Sequence, residues 1–340
     1  MVVILKPKTS NEEITKITRK LESLGVTVNP VIGTEMSILG LVGDTTRIDP
    51  SYIEANPNVE RVMHVQEPFK KANRLFHPEN TVIDVNGHTI GGNKIAIIAT
   101  GPSLKEDVHI ILDEDYKKQT DFLMLNFSAF DSLFFKLRPR HYCLADPMYF
   151  HSSWRDEEVF RFFNLLNNQV EWPMTIYVPA QNLKQFVEFS RLVNSNIKVL
   201  GVNTIIYNGF EKFRSFFYRV GLSSPPPQTV TNLAIFVGIN TGYQNIDLFG
   251  VDHTFLSALM VNEKNQLCQM YSHSYDEGEV EYKVVTRTDN NKIWKVGEYI
   301  IACGNMFLSH DLLENYAKSI DCRIINNTKC SMIDSYERKK

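Results

Sequence analysis

Residues 94–104 read Lys-Ile-Ala-Ile-Ile-Ala-Thr-Gly-Pro-Ser-Leu, and this stretch decides the fold. Lys94 to Ala99 is a nearly unbroken apolar run, the pattern of a parallel strand covered on both faces. The run stops at Thr100-Gly101-Pro102-Ser103, where glycine and proline break the strand and the serine stands where a helix would begin. Such a turn presents backbone N–H groups and a helix N-terminus to an anionic ligand. One glycine does not make a phosphate-binding loop, and an ordinary strand-to-helix turn has the same spelling.

Downstream, apolar runs alternate with helical patterns. Phe122 to Leu125 ends in Asn126, and His141 to Ala145 ends in Asp146-Pro147. Met174 to Val178 and Ile197 to Leu200 follow, then a helix from Thr231 to Thr241 stopped by Gly242. Ile246 to Phe249 ends in Gly250-Val251-Asp252-His253, and a helix from about Asn305 to Ser319 precedes the strand Cys322 to Ile325. This order predicts a Rossmann-like, doubly wound parallel sheet, an α/β fold whose ligands sit beyond the carboxyl ends of the strands. Ser103, Asn126, Asp146 and Asp252-His253 all fall at such ends.

Toward the N-terminus the pattern changes. Val2-Val3-Ile4-Leu5 reads as a strand, and Ile14, Ile17, Leu21 and Leu24 recur at helical spacing until Gly25. Val26-Thr27-Val28 and Ser37 to Gly43 read as strands, with a short helix near Pro50 and a last strand from Val59 to Val65. This β-α-β-β-α-β order predicts a small ferredoxin-like α+β domain over residues 1–66. A linker and β-hairpin, turning at Asn86-Gly87, span 67–92, and the nucleotide-binding domain takes 93–340.

The totals narrow the class. At 340 residues the chain suits two cores, and its 43% hydrophobic and 22% charged content is that of an ordinary globular protein. A net charge of -3 gives no basic field for nucleic acid. No apolar run approaches the roughly 18 residues of a membrane helix. The N-terminus lacks a signal-peptide pattern. Cys143, Cys268, Cys303, Cys322 and Cys330 are unpatterned, which fits reduced thiols and a cytoplasmic protein, with a peripheral place at the inner membrane left open. Asp113-Glu114-Asp115 has a D-x-D form but reads as a solvated turn at a helix end, so no metal is expected.

Two resemblances sharpen these readings. Residues 1–99 resemble the N-terminal regulatory extension of one class of 3-deoxy-D-arabino-heptulosonate 7-phosphate (DAHP) synthase. The likeness is most specific at Phe76-His77-Pro78-Glu79-Asn80-Thr81-Val82-Ile83-Asp84 and Ile90-Gly91-Gly92-Asn93. In that family the extension precedes a (β/α)8 barrel and binds aromatic amino acids, which implies tyrosine or phenylalanine as an effector here. Ala99-Thr100-Gly101-Pro102 departs from the barrel pattern. The domain therefore reads either as an appendage on an unrelated enzyme or as a surviving allosteric module. The second resemblance covers roughly residues 93–335. Ile-Ile-Ala-Thr-Gly-Pro-Ser-Leu-Lys (97–105), Thr229 to Ala234 and Gly250-Val251-Asp252-His253 look like the motility accessory factors and the metal-independent bacterial sialyltransferases.

That resemblance implies a glycosyltransferase, a GT-A-like sialyltransferase variant, moving a sugar from a nucleotide donor such as a CMP-nonulosonic acid to a surface glycan or glycoprotein. It implies a donor held by Thr100, Gly101, Pro102, Ser103, Asn126, Asp146, Thr229, Thr231 and Asn232. The family's histidine base aligns here with Gly304, close to His310. His253 and His273 are the candidate replacements beside Asp252, and each also reads as an ordinary turn or loop residue. Tyr271 and Tyr275 would bond the leaving phosphate in place of a metal. The alternatives are an ATP- and Mg²⁺-dependent pterin pyrophosphokinase and a non-enzymatic amino-acid-sensing module. No cofactor is expected beyond the donor, and a homo-oligomer is favoured over a monomer.

Overall fold

Val2 to Leu5, all buried, form strand β1 (Val2–Leu5) at the centre of the first sheet. Helix α1 (Asn11–Glu22) starts at Ser10, whose hydroxyl accepts from Glu13 N at 3.3 Å, and buries Ile14, Ile17 and Leu21 against the sheet. Leu24, expected on the same stripe, lies past the helix end and is exposed. Strands β2 (Thr27–Ile32) and β3 (Ser37–Val42), helix α2 (Pro50–Glu54) and strand β4 (Val59–Met63) complete an antiparallel sheet in the order β2-β3-β1-β4. That is the ferredoxin-like arrangement. In the computed structural model the described residues are 1–338 except 8, 33–36, 43–44, 46–47, 64–82, 86–87, 91–93, 258, 271–281 and 288–291. The chain divides into two units, Met1–Glu67 and Pro68–Lys340.

The second unit begins with β5 (Ile83–Val85) and β6 (His88–Ile90), which pair antiparallel as the hairpin reading requires. Then come β7 (Lys94–Ile98), α3 (Leu104–Ile111), α4 (Glu114–Lys118), β8 (Asp121–Leu125), α5 (Leu133–Leu137) and β9 (His141–Cys143). Next are α6 (Asp156–Gln169), β10 (Met174–Pro179), α7 (Leu183–Ser190), β11 (Ile197–Val202), α8 (Glu211–Arg219) and α9 (Val230–Asn240). The unit closes with β12 (Asn245–Phe249), β13 (Leu259–Val261), β14 (Leu267–Met270), β15 (Tyr282–Val284), α10 (Val296–Lys318), β16 (Arg323–Asn326) and β17 (Glu337–Arg338).

Eight of these strands form one parallel sheet in the order β11-β10-β9-β8-β7-β12-β16-β17. The fold is therefore α/β, a doubly wound parallel sheet preceded by a ferredoxin-like domain. The chain runs outward from β7 to β11, then returns to lay β12 on the other side of β7. The switch point lies between β7 and β12. Ile98 is level with Met124 and Phe249, and Cys143 with Leu125, so four neighbouring strands stop within a residue of one another. Their following residues stand in a row, with about 4.8 Å between strands.

Helix α9 crosses one face of this sheet, and all eleven of its residues are buried. It leads through four residues into the amino end of β12, so its own N-terminus lies at the carboxyl edge of the sheet. The D-x-D segment is local structure: Asp113 caps α4 by accepting from Asp115 N and Tyr116 N. Cys143, Cys268, Cys303 and Cys322 are buried thiols and Cys330 an exposed one, none of them disulfide-bonded. Among the described residues no helix is long and apolar enough to cross a membrane.

Candidate functional site

The Thr100–Ser103 turn is drawn inward onto Asp252. Ser103 Oγ donates to Asp252 Oδ2 at 2.8 Å and Ser103 N to Oδ1 at 3.3 Å. Gly101 N donates to Gly250 O at 2.9 Å. A Cβ on Gly101 would stand 1.8 Å from Asp252 Oδ2 and 2.4 Å from Gly250 O, so the position admits only glycine. Gly250 takes φ +65° and approaches Ala99 O as closely from the other side. The Gly101 and Ser103 N–H groups expected to face a phosphate are thus spent inside the protein. Glu106 and Asp107 in the first turn of α3, with Asp252 at its end, already oppose the positive end of that helix. Burial raises the Asp252 carboxyl above its ordinary value, while the Ser103 bonds pull it back down.

Next along the row, Asn126 adopts a left-handed φ of 50° at the end of β8. Its backbone carbonyl accepts from Tyr142 Oη at 2.5 Å. Its side chain hydrogen-bonds Asp146, and its Oδ1 is buried without a partner. Burial raises the Asp146 carboxyl, against the Asn126 hydrogen bond and the Arg155 charge.

The N-terminus of α9 differs from that of α3. Thr229 Oγ1 accepts from Asn232 N, and Asn232 Oδ1 accepts from Thr229 N at 3.1 Å, a reciprocal cap that holds the Asn232 amide over the helix end. Asn232 is 2% exposed and its Nδ2 has no partner. Thr231 beside it is buried, and the first turn carries no acidic side chain. This helix end is positive, and Asn232 Nδ2 is a spare donor at it.

His253 follows Asp252 with φ 50° and is buried with Nε2 unpartnered. Burial pushes its pKa down to about 3, so the ring is neutral. Its ring centroid lies 5.1 Å from that of His310, a fully buried residue of α10. His310 Nδ1 is 2.8 Å from Tyr336 Oη, its Nε2 has no partner, and burial together with His253 holds it neutral as well. Sequence reasoning read His310 as capping or decorating a helix, whereas it is fully buried, and passed over Tyr336. Nothing local marks them, because they meet His253 only through the docking of α10 and the C-terminal segment. That segment also braces the loop: Val251 N donates to Thr328 Oγ1 at 3.0 Å and Met332 N to Asp252 O at 2.9 Å.

The structure therefore assembles three of the expected groups: Gly101 and Ser103 with Asp252, Asn126 with Asp146, and Thr229 and Thr231 with Asn232. Pro102 and Thr100 complete the first turn. Tyr271, His273 and Tyr275 lie outside the described residues. Arg138, Arg140 and His141 form a basic cluster at the amino end of β9, away from this edge, where Arg140 pairs with Asp121 and His141 bonds Tyr177 and Tyr243. Among the described residues no group of three or more His, Cys, Asp or Glu converges to hold a metal ion.

Comparison with known proteins separates the two units. Residues 1–67 match the family model of the DAHP synthase ferredoxin-like domain. A phospho-2-dehydro-3-deoxyheptonate aldolase of Thermotoga maritima is 34% identical over 113 residues, which is 33% of this chain and 33% of the aldolase. The chain thus spans about a third of the length of that relative. The crystal structure of the Thermotoga maritima DAHP synthase aligns with 74% of this chain and 80% of its own at 20% identity, with a TM-score of 0.22. A motility accessory factor (MAf) glycosyltransferase from Magnetospirillum magneticum aligns with 73% of this chain and 34% of its own at 13% identity, with a TM-score of 0.40. Alignments this loose carry no argument about activity.

These findings overturn the expected sugar transferase. The sequence relative is an aldolase, and a CMP-sugar donor, a sialyltransferase reaction and a role in polysaccharide synthesis have no comparable support. The pterin pyrophosphokinase and the non-enzymatic sensor are no better supported. What is similar to DAHP synthase is the N-terminal part of the chain, and its ferredoxin-like unit matches the domain of that family over residues 1–67.

Proposed function

We propose that the second unit is an enzyme domain that binds a nucleotide-class ligand, an anionic group beside neighbouring hydroxyls, along the carboxyl edge of β9, β8, β7 and β12. The observation that carries this reading is Asn232, a buried amide with an unused donor at a helix end of this edge whose first turn carries no carboxylate. Anions bind at such ends because unpaired N–H groups and the helix dipole act together. Asn126 Oδ1 and the Asp146 carboxylate supply acceptors for hydroxyls. The Gly101–Ser103–Asp252 clamp forms a fixed wall at the switch point, where open α/β sheets hold ligands. His253, neutral and unpartnered at Nε2, would supply a hydrogen bond to the ligand. Aldolase chemistry is not part of the reading, because the sheet is open, with β11 and β17 as free edges, rather than a closed barrel.

Thermal melts of the full chain against CMP, UDP, GDP and ATP, each with Mg²⁺ and with EDTA, test this. A ligand at about 100 times its dissociation constant stabilises the fold by about 2.7 kcal/mol. Asn232→Asp keeps the acceptor that caps Thr229 N but sets a negative charge against the anion. It should melt like the parent without ligand and lose at least about tenfold in affinity, or about 1.4 kcal/mol of the shift. If no nucleotide moves the melt, the proposal fails.

For the first unit, likeness to the DAHP synthase ferredoxin-like domain supports an effector role. Titration calorimetry with tyrosine and phenylalanine should then give saturable heat, and silence with both would end that idea.

A further inference from the structure

Helix α10 is apolar on two opposite faces. Cys303, Met306, Ser309, His310, Leu313, Tyr316 and Ala317 are buried in the second unit. The outer face carries Gly297, Ile300, Ile301, Gly304, Asn305 and Leu308, at spacings of three and four residues, and all are exposed. Ile300, Ile301 and Leu308 are 49%, 67% and 60% exposed, and a Cβ at Gly297 or Gly304 would meet nothing within 4 Å. A solvated helix face normally carries charge, and a helix apolar all round is normally covered all round. Among the described residues nothing covers the outer face of this one.

We propose that the cover is the same face of a second copy of this chain, packed antiparallel about a two-fold axis passing between Ile301 and Gly304. That register sets Ile301 of each copy level with Gly304 of the other and Leu308 with Gly297, while Ile300 and Asn305 lie on opposite flanks of the contact. Each large side chain meets a small or absent one, which lets the helices approach closely and interdigitate. The same axis brings exposed Lys295 near exposed Asp311 of the other copy, opposite charges at both ends of the contact. The helix dipoles run antiparallel. A self-complementary patch closes as a dimer and propagates no further. The contact is a single helix face on each copy, small for a specific interface, so the dimer is weak and concentration-dependent. A lipid surface fits less well, since two of the six positions offer no side chain to insert.

The inference is independent of the nucleotide reading. Sedimentation velocity of the full chain over a hundredfold concentration series should show a reversible monomer–dimer equilibrium. Ile301→Glu should make it monomeric while leaving the melt unchanged. Val193→Glu, altering a residue 87% exposed and remote in sequence, should leave the dimer intact. Gly304→Leu is the decisive variant. It fits a single copy without contact but meets Ile301 of the other, so dimerisation should weaken at least tenfold. A parent chain monomeric throughout the series overturns the proposal, as does a dimer indifferent to both Ile301→Glu and Gly304→Leu. Sedimentation with anionic phospholipid vesicles that Gly304→Leu strengthens would overturn it in favour of a membrane.

Discussion

Gly101→Ala is expected to destabilise the second unit by about 3 kcal/mol, at the upper end of what one added methyl does in a packed site. The reason is the nature of the obstacles. Asp252 Oδ2 would lie 1.8 Å from the new Cβ, and that carboxylate is fixed by two bonds from Ser103. Gly250 O would lie at 2.4 Å, and it is main chain at the end of a central strand, unable to rotate away. For a unit of this size 3 kcal/mol lowers Tm by about 6–12 °C. The fluorescence of Trp154, Trp172 and Trp294, all in the second unit, would follow the transition. Gly304→Ala is the matched control. Its Cβ meets nothing, and helix propensity alone should stabilise by about 0.5–1 kcal/mol. Adding Asp252→Ala to Gly101→Ala should recover part of the loss but not all, because Gly250 O stays where it is. A Gly101→Ala melt within 1 °C of the parent would mean that the turn gives way, and the clamp would not be the rigid wall described.

The row of strand ends was readable because buried parallel strands spell themselves. Ile95 to Ile98 and Phe122 to Leu125 are apolar without interruption, and the polar residues that follow can only lie at an edge. The direction in which those polar groups face was not readable. Gly101-Pro102-Ser103 has the spelling of an anion-binding turn, and only the position of Asp252, 149 residues away from Ser103, shows that its donors are already used. Helix α9 lacks an amphipathic period because every face is covered, so its N-terminus looked like one of several starts rather than the free one. Helix α10 was read from Asn305 although it begins at Val296. Its first part is apolar on both sides and contains Gly297 and Gly304, which look like breakers in a pattern judged by periodicity. The strands β14 and β15 have no counterpart in the sequence reading, since three or four residues carry too little alternation to register. His310 and Tyr336 belong to a contact built by tertiary packing alone.

That contact gives the protein its second large expected effect, a steep loss of stability below pH 6.5. His253 has an ordinary value of 6.5 and a folded value of about 3, because burial disfavours the charged ring. Its folded value is depressed, so its contribution is complete above 6.5 and is lost as pH falls toward 3, where the unfolded chain takes a proton that the folded one refuses. At pH 5 that difference is about 2 kcal/mol. His141, also pushed to about 3, is held between Tyr177 and Tyr243 and acts in the same direction. His310 adds to both. Burial raises the carboxyls of Asp107, Asp121, Asp146 and Asp252, which act in the opposite sense at pH values between 3.8 and their folded values. The histidines therefore set the slope below 6.5, where together they take up about 1.5 protons on unfolding at pH 6.5 and close to three by about pH 5.5, and the acids moderate it further down. Denaturant titrations between pH 7.5 and 5, followed by tryptophan fluorescence, measure this slope directly. His253→Asn accommodates the left-handed backbone without strain and removes one titrating ring, so the slope should fall by about one proton, near 1.4 kcal/mol per pH unit. An unchanged slope in that variant would show that His253 is charged in the folded state, and its assignment as a neutral hydrogen-bonding group at the ligand edge would fall with it.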